Sequence, residues 1–316
     1  MDALQVQWLT IDDSREGQRL DNFLSALLKG VPKSRIYRMI RTGEVRINKG
    51  RCKPESRLQA GDIVRIPPVV LDRPAQPRSN SRMQLQLRDA LLYEDEDVFV
   101  LNKPSGLAVH GGSGLATGLI EQLRLARPDE RFLELVHRLD RETSGCLVIA
   151  RRPSALRRLH KSLREQHAEL QKRYLVIVEG RWPSHVTEMN APLAKYERSG
   201  ERRVEVAQDG KPSTTRFKVL ASLPDATLLE AEPVTGRTHQ IRVHCAFQKH
   251  PVLADLKYQS EASQAAWKSR QVTTLCLHAR SIGLIAASGH AVTVLAPIPS
   301  HMAVLLVAAG LDPDIF

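Results

Sequence analysis

The residues with the most chemical promise lie between Val136 and Gly145, where the polar cluster His137-Arg138-Leu139-Asp140-Arg141-Glu142-Thr143-Ser144 runs straight into the apolar stretch Cys146 to Ala150. An Asp ahead of Thr and Ser is commonly a turn cap. In an extended segment, however, residues two apart point to the same side, so Arg138 and Asp140 can face one cleft together. An ionised carboxylate in such a pair can attack as a nucleophile or take up a proton. A metal-dependent nuclease competes with this reading, because His110, His137, His239 and His244 are numerous. The spacing opposes it. There is no H-E-x-x-H or paired-carboxylate motif, and His239 and His244, five apart, do not stack on one helix face. No metal and no nucleotide cofactor is expected.

Such a cluster needs a scaffold to aim it. Strand-like runs at Asp97 to Leu101, Cys146 to Ala150 and Tyr174 to Val178 alternate with helical stretches such as Ser154 to Glu169, which predicts an α+β body with a mixed sheet and packed helices. A chain of 316 residues exceeds the usual size of one domain, so a catalytic body plus a smaller module is expected. Cys52, Cys146, Cys245 and Cys276 lack C-x-x-C spacing and read as reduced packing residues. No run of about 18 apolar residues is present, and the opening MDALQVQWLTIDD is acidic where a signal peptide carries positive charge. A cytoplasmic protein without a membrane partner is expected.

The net charge of +11 favours a polyanionic partner through counterion release, and most of it is local. From Ser14 to Ile66 there are 13 Lys or Arg against 5 Asp or Glu, which carries +8 of the total. Here Leu20, Phe23, Leu24, Leu27 and Leu28 recur at helical spacing. Ile36, Met39 and Ile40 repeat the pattern after Pro32, with Ser34 as the expected cap and Gly43 as the stop. Glu44 to Ile47 and Asp62 to Ile66 then alternate like strands, with Asn48-Lys49-Gly50 as a turn. Lys33, Arg35, Arg38, Arg41, Arg46, Lys49, Arg51 and Lys53 lie off the apolar stripe, either as a solvated face or, with so little acidic interleaving, as a surface tracking phosphates. The segment from Arg19 to Ile66 resembles the small alpha-L RNA-binding domain shared with a ribosomal small-subunit protein. We place that domain at residues 14–75, a proline-containing linker at 76–86 and the catalytic body at 87–316.

In the catalytic body four ordered motifs carry a second resemblance: NKPSGLAVHGG at Asn102 to Gly112, HRLDRETSG at His137 to Gly145, Lys172-Arg173-Tyr174, and GRTHQIRVH at Gly236 to His244. Together they resemble the RluA-type family of pseudouridine synthases over nearly all of Tyr93 to Pro297. The N-terminal module and the tract VHGGSG at Val109 to Gly114 look closest to the C group of large-subunit ribosomal RNA synthases within it. The resemblance implies isomerisation of uridines in structured RNA, with 23S ribosomal RNA or a pre-ribosomal large-subunit particle as partner, and a monomeric enzyme. Carried over, the nucleophilic Asp falls on Asp140, the base-displacing Arg on Arg138, the aromatic partner on Tyr174 and the carboxylate-pairing Arg on Arg242. Lys103 and Arg237 fall in the same motifs and are expected to touch RNA with Lys33, Arg35, Arg38, Arg41 and Lys49.

The chemistry agrees with these assignments. Pseudouridine formation breaks the C1′–N1 bond and joins C1′ to C5 of the same uracil, so a detached base and an electron-poor sugar must be stabilised. A carboxylate suits both demands, and attack or proton removal as its first act are both open. A buried Asp ionises readily only beside a cation, and an Arg fork that grips both oxygens is the natural one. Taken alone, Arg242 reads as a surface cation between Ile241 and Val243, and Tyr174 as a core aromatic at a strand start. The target base must be flipped out of its stack. Arg138 can fill the gap while Tyr174, placed beside Lys172-Arg173 on a phosphate-facing rim, stacks on the uracil. A non-catalytic RNA-binding module is the alternative from another class.

Overall fold

The computed structural model describes residues 5–28, 31–69, 87, 89–111, 117–165, 170–198 and 201–316. They fall into two compact units, Met1–Arg78 and Ser79–Phe316. The expected linker at 76–86 lies outside the described residues, as do Gly112 to Gly114 of the VHGGSG tract and the last four residues of the expected helix from Ser154.

In the first unit α1 (Leu20–Leu27) and α2 (Lys33–Thr42) accompany a three-stranded antiparallel sheet of β1 (Gln7–Thr10), β2 (Arg46–Ile47) and β3 (Ile63–Ile66), ordered β1-β3-β2. The apolar stripe is the core: Leu20, Phe23, Leu24, Ile36, Met39 and Ile40 are buried with Val45, Val64 and Ile66. Gly43 ends α2 at φ 77°, where its N–H reaches the Ile40 carbonyl, a left-handed conformation that other residues adopt only with strain. Ser34 is not the cap. The cap stands two residues earlier, at Pro32, whose ring-restricted φ of −57° suits a helix start without a side-chain bond. Arg19 forks onto the Asp21 carboxylate at 3.1 and 2.7 Å, and the Tyr37 hydroxyl donates to it at 3.0 Å, which ties α1 to α2. With Arg19 as the main cause, the Asp21 carboxyl is held down to about 2.

The second unit is built on a ten-stranded mixed sheet. Its strands are β4 (Leu91–Glu94), β5 (Val98–Lys103), β6 (Glu134–Leu135), β7 (Ser144–Ala150), β8 (Leu170–Glu179), β9 (Glu188–Asn190), β12 (Thr214–Leu223), β13 (Ala226–Pro233), β14 (Leu277–Ile285) and β15 (Ala291–Leu295). The order is β4-β5-β7-β14-β8-β13-β12-β9, with β6 added to β7 and β15 to β14. A separate hairpin joins β10 (Leu193–Arg198) to β11 (Glu201–Val206). Among the described residues the helices α3 (Leu119–Ala126), α4 (Pro153–Glu165), α5 (Gln240–Phe247), α6 (Glu261–Ser269) and α7 (Ser300–Ala308) go with it. All three expected strand runs lie in this sheet. Strands β7 and β8 are buried over most of their length, as both-face coverage demands.

One pairing governs the site. Strands β7 and β14 run parallel, with Ser144 opposite His278 and Gly145 opposite Ala279, whereas the other pairings in the sheet are antiparallel. Gly145 has φ 104°, and a Cβ there would stand 2.3 Å from the Ala279 carbonyl oxygen. Only glycine lets the chain leave the Asp140 turn and dock this closely. Behind it the buried His278 accepts from the Ser144 hydroxyl through Nδ1 at 2.9 Å and donates through Nε2 to the Ala296 carbonyl at 3.4 Å.

Candidate active site

Asp140 sits in the turn between β6 and β7, its carbonyl accepting from the Thr143 N–H at 3.1 Å. The preceding motif at Asn102 to Leu107 buttresses this turn. The Lys103 ammonium donates to the carbonyls of Pro104, Leu107 and Arg141 at 2.9, 2.8 and 2.9 Å, and the Ser105 hydroxyl to that of Glu142 at 2.7 Å. Lys103 is wholly buried, which corrects its expected place on the RNA-facing surface. Its three donors are consumed by carbonyls. Burial pulls its ammonium down to about 7, against the opposing pull of Glu142 and Asp140.

Arg242 reaches the same point from α5. Its Nη1 donates to Asp140 Oδ2 at 3.0 Å, so two residues 102 apart in sequence meet as an ion pair. The two-nitrogen fork, however, grips another carboxylate. Nε and Nη2 donate to Asp255 Oδ2 and Oδ1 at 2.7 and 2.8 Å, and Asp255 is fully buried. The expectation that Arg242 binds both oxygens of Asp140 is thereby corrected. Asp140 receives the one remaining arm, and its Oδ1 keeps no hydrogen-bond partner among the described residues. Its side chain retains 27% exposure against 8% for Arg242, so the carboxylate stands at an opening with its cation behind it.

Three residues that the sequence reading did not assign complete the arrangement. Tyr258 lays its ring beside the Arg242 guanidinium, 5.2 Å from carbon to centroid. Its hydroxyl accepts from the Val204 N–H at 3.3 Å and lies 2.7 Å from His239 Nδ1. His239, at φ 55° just ahead of α5, places Nε2 3.8 Å from Asp140 Oδ2. A bare ring nitrogen facing a carboxylate is repelled, so the proton belongs on Nε2 and Nδ1 accepts from Tyr258. Burial lowers the His239 pKa, with Arg242 and Lys257 pushing the same way and Asp140 opposing, which keeps the ring neutral. The third residue is Asp255 itself, in the unremarkable stretch KHPVLADLKYQS.

Asp140, His239 and Arg242 line a cavity of about 1030 Å³, ample for a nucleotide. Tyr174 enters its wall from β8, buried to 8% exposure, and burial with the nearby Asp140 charge pushes its phenol above the usual tyrosine range. Arg138 and Arg237 are exposed at the same cavity. Arg237 donates Nε to the Pro212 carbonyl at 3.1 Å. Arg138 makes no side-chain hydrogen bond or ion pair among the described residues, unlike the neighbouring Arg141, which meets Gly106 and Glu142. In the first unit Lys33, Arg38, Arg41 and Lys49 are exposed, whereas Arg35 is half-buried and shares a 3.5 Å contact with Glu44. Among the described residues no group of three His, Cys, Asp or Glu is placed to hold a metal ion. His244 is buried against the Ser213 and Thr215 hydroxyls, and His137 Nε2 accepts from the Val148 N–H.

Comparison with known proteins agrees with this geometry. The model of a family described as RNA pseudouridylate synthase matches residues 97–247, and that of the S4 domain matches residues 18–64. The chain is 51% identical over 308 residues, 96% of both chains, to ribosomal large subunit pseudouridine synthase C of Haemophilus ducreyi. It is 55% identical over 259 residues to the protein of that name from Escherichia coli K12, covering 81% of this chain and 80% of that one. The human RNA pseudouridylate synthase domain containing 4 shares the fold, with a TM-score of 0.58 at 24% identity over 73% of this chain and 97% of that one.

Proposed function

We propose, from the premise that the chain belongs to the RNA pseudouridylate synthase family, that it isomerises specific uridines of 23S ribosomal RNA, free or in an assembling large-subunit particle. The observation that carries this reading is the Asp140 carboxylate, paired on one oxygen with Arg242 and open on the other to a nucleotide-sized cavity. The reaction breaks C1′–N1, turns the uracil and forms C1′–C5; C5 then loses its proton and N1 gains one. Asp140 meets the sugar or the proton, with the Arg242 guanidinium beside its Oδ2. Tyr174 stacks on the extruded base, and its raised pKa suits a neutral phenol better than a phenolate base. Arg138 fills the vacated stack. Lys33, Arg35, Arg38, Arg41, Lys49 and Arg237 meet phosphates, and Lys103 serves as a buttress. The RNA-binding module occupies residues 14–75, joined by residues 76–86 to the catalytic body at 87–316. The enzyme works as a cytoplasmic monomer.

The test is Asp140→Asn, which keeps the size and removes the charge. Tritium release from C5-labelled uridine in ribosomal RNA should cease while RNA affinity holds. A variant retaining more than about a tenth of wild-type turnover would sink the assignment.

A further inference from the structure

Lys172 is the one lysine among the described residues in the wall of the catalytic cavity, and the catalytic groups do not explain it. It lies on β8 two residues before Tyr174, so both side chains leave the same face of the strand, roughly 6–7 Å apart along it. Arg173, between them, points to the other face and stands 3.9 Å from Glu230. The Lys172 side chain is half-buried, yet it has no hydrogen bond or ion pair among the described residues. Burial lowers its ammonium pKa, and among the described residues no carboxylate raises it back. Among the described residues the acidic groups of the cavity wall are engaged elsewhere: Glu134 with Arg124 at 2.8 Å, and Asp140 with Arg242. A desolvated cation without a counter-charge costs stability unless a ligand provides the charge. Arg164, on α4, exposes a second cation at the same cavity.

We infer that Lys172, with Arg164 beside the same cavity, forms a phosphate subsite that takes an RNA backbone phosphodiester next to the flipped-out uridine. The inference rests on the synthase reading above. If Tyr174 stacks on the base, the strand spacing places the Lys172 ammonium about where a nucleotide carries its own phosphate. A solvated lysine would need no partner, but a desolvated one in a wall of this kind does.

The test couples protein and RNA changes. Lys172→Met keeps the aliphatic stem and removes the charge; Lys172→Arg keeps the charge. Single-turnover rates are measured on a minimal RNA and on copies in which one phosphate near the target is replaced by a neutral methylphosphonate. Lys172→Met should slow the native RNA by roughly ten- to a hundredfold, Lys172→Arg by much less. The deficit should vanish on one particular methylphosphonate RNA, where the wild type already lacks the same interaction. The melting temperature of Lys172→Met should equal or exceed that of the wild type. An equal deficit on every RNA, or a lowered melting temperature, would overturn the subsite and make Lys172 structural. Failure of the wild type itself to release tritium from any of these RNAs would instead bring down the synthase reading, and the subsite with it.

Discussion

Arg242 closes both arms of its fork on Asp255, at 2.7 and 2.8 Å, and extends only the remaining nitrogen to Asp140. Asp255 is in turn fixed by the backbone N–H groups of Lys257 and Tyr258, at 3.0 and 3.3 Å. The guanidinium is therefore anchored from behind. Its position beside Asp140 does not depend on Asp140, so the cation is in place whether the carboxylate is free or engaged with a sugar.

Asp255→Asn tests this anchoring. Removing one charge of a buried pair costs about 3–5 kcal/mol of stability, the lower end applying because Asn keeps one acceptor. Release of the guanidinium should also slow chemistry by roughly a hundredfold, the scale of an ångström of misplacement. Denaturant unfolding and single-turnover tritium release measure the two effects. A variant within about twofold of wild type in rate, with an unchanged midpoint, would show that Arg242 needs no anchor.

The contrast between these residues shows what a sequence can carry. Asp140, Arg138, Tyr174 and Arg242 stand in motifs whose residue types are tied to chemistry. Asp255 and Tyr258 reach the site through a turn whose sequence resembles any loop. Lys103 eludes the sequence for a related reason: a lysine whose donors meet three carbonyls cannot be told from a surface lysine by its neighbours in the chain. The α+β class and the helices of the first unit follow from apolar periodicity. Strand β1 does not, because Gln7–Thr10 has no buried residue and gains its structure only by pairing with β3. The parallel pairing of β7 with β14 joins residues more than 130 apart, which no local pattern foretells.

His278 makes a pH prediction. Burial holds its imidazole down to about 4 from an ordinary 6.5, so it is neutral in the folded protein. As pH falls, the unfolded chain takes up the proton first. The contribution of His278 is thus fully present above about pH 6.5 and lost as pH falls to about 4, a change on the order of 3 kcal/mol. His278→Gln, which can still accept from Ser144 and donate to Ala296, should flatten the decline in stability across that window. Urea unfolding from pH 7 to 4 is the measurement, and parallel curves for the two proteins would refute it.

The first unit should contribute affinity and little chemistry. Each unit has its own buried core, so removing residues through Ile66 leaves the second core complete. Every phosphate that the shortened protein no longer neutralises lowers the log–log slope of affinity against salt by roughly 0.7 to 0.9. The truncated protein should therefore bind ribosomal RNA more weakly, with a flatter salt dependence, and keep its melting transition. An unchanged slope would place the phosphate-binding groups elsewhere.

Arg138 separates flipping from chemistry. It is exposed at the cavity two residues before Asp140, and its side chain makes no hydrogen bond or ion pair among the described residues that would hold it back from the RNA. Extruding a stacked base costs roughly a few kcal/mol, and a planar guanidinium entering the gap offsets part of that. Arg138→Ala should then lose most where the uridine sits in a stable helix. It should lose least where the uridine is already unpaired in a flexible loop. Loss of the Asp140 charge acts after flipping and should damage every context alike. Single-turnover rates on paired and unpaired versions of one RNA distinguish the two roles. Equal fractional losses for Arg138→Ala on both would mean that it serves binding or carboxylate positioning, and that another group displaces the base.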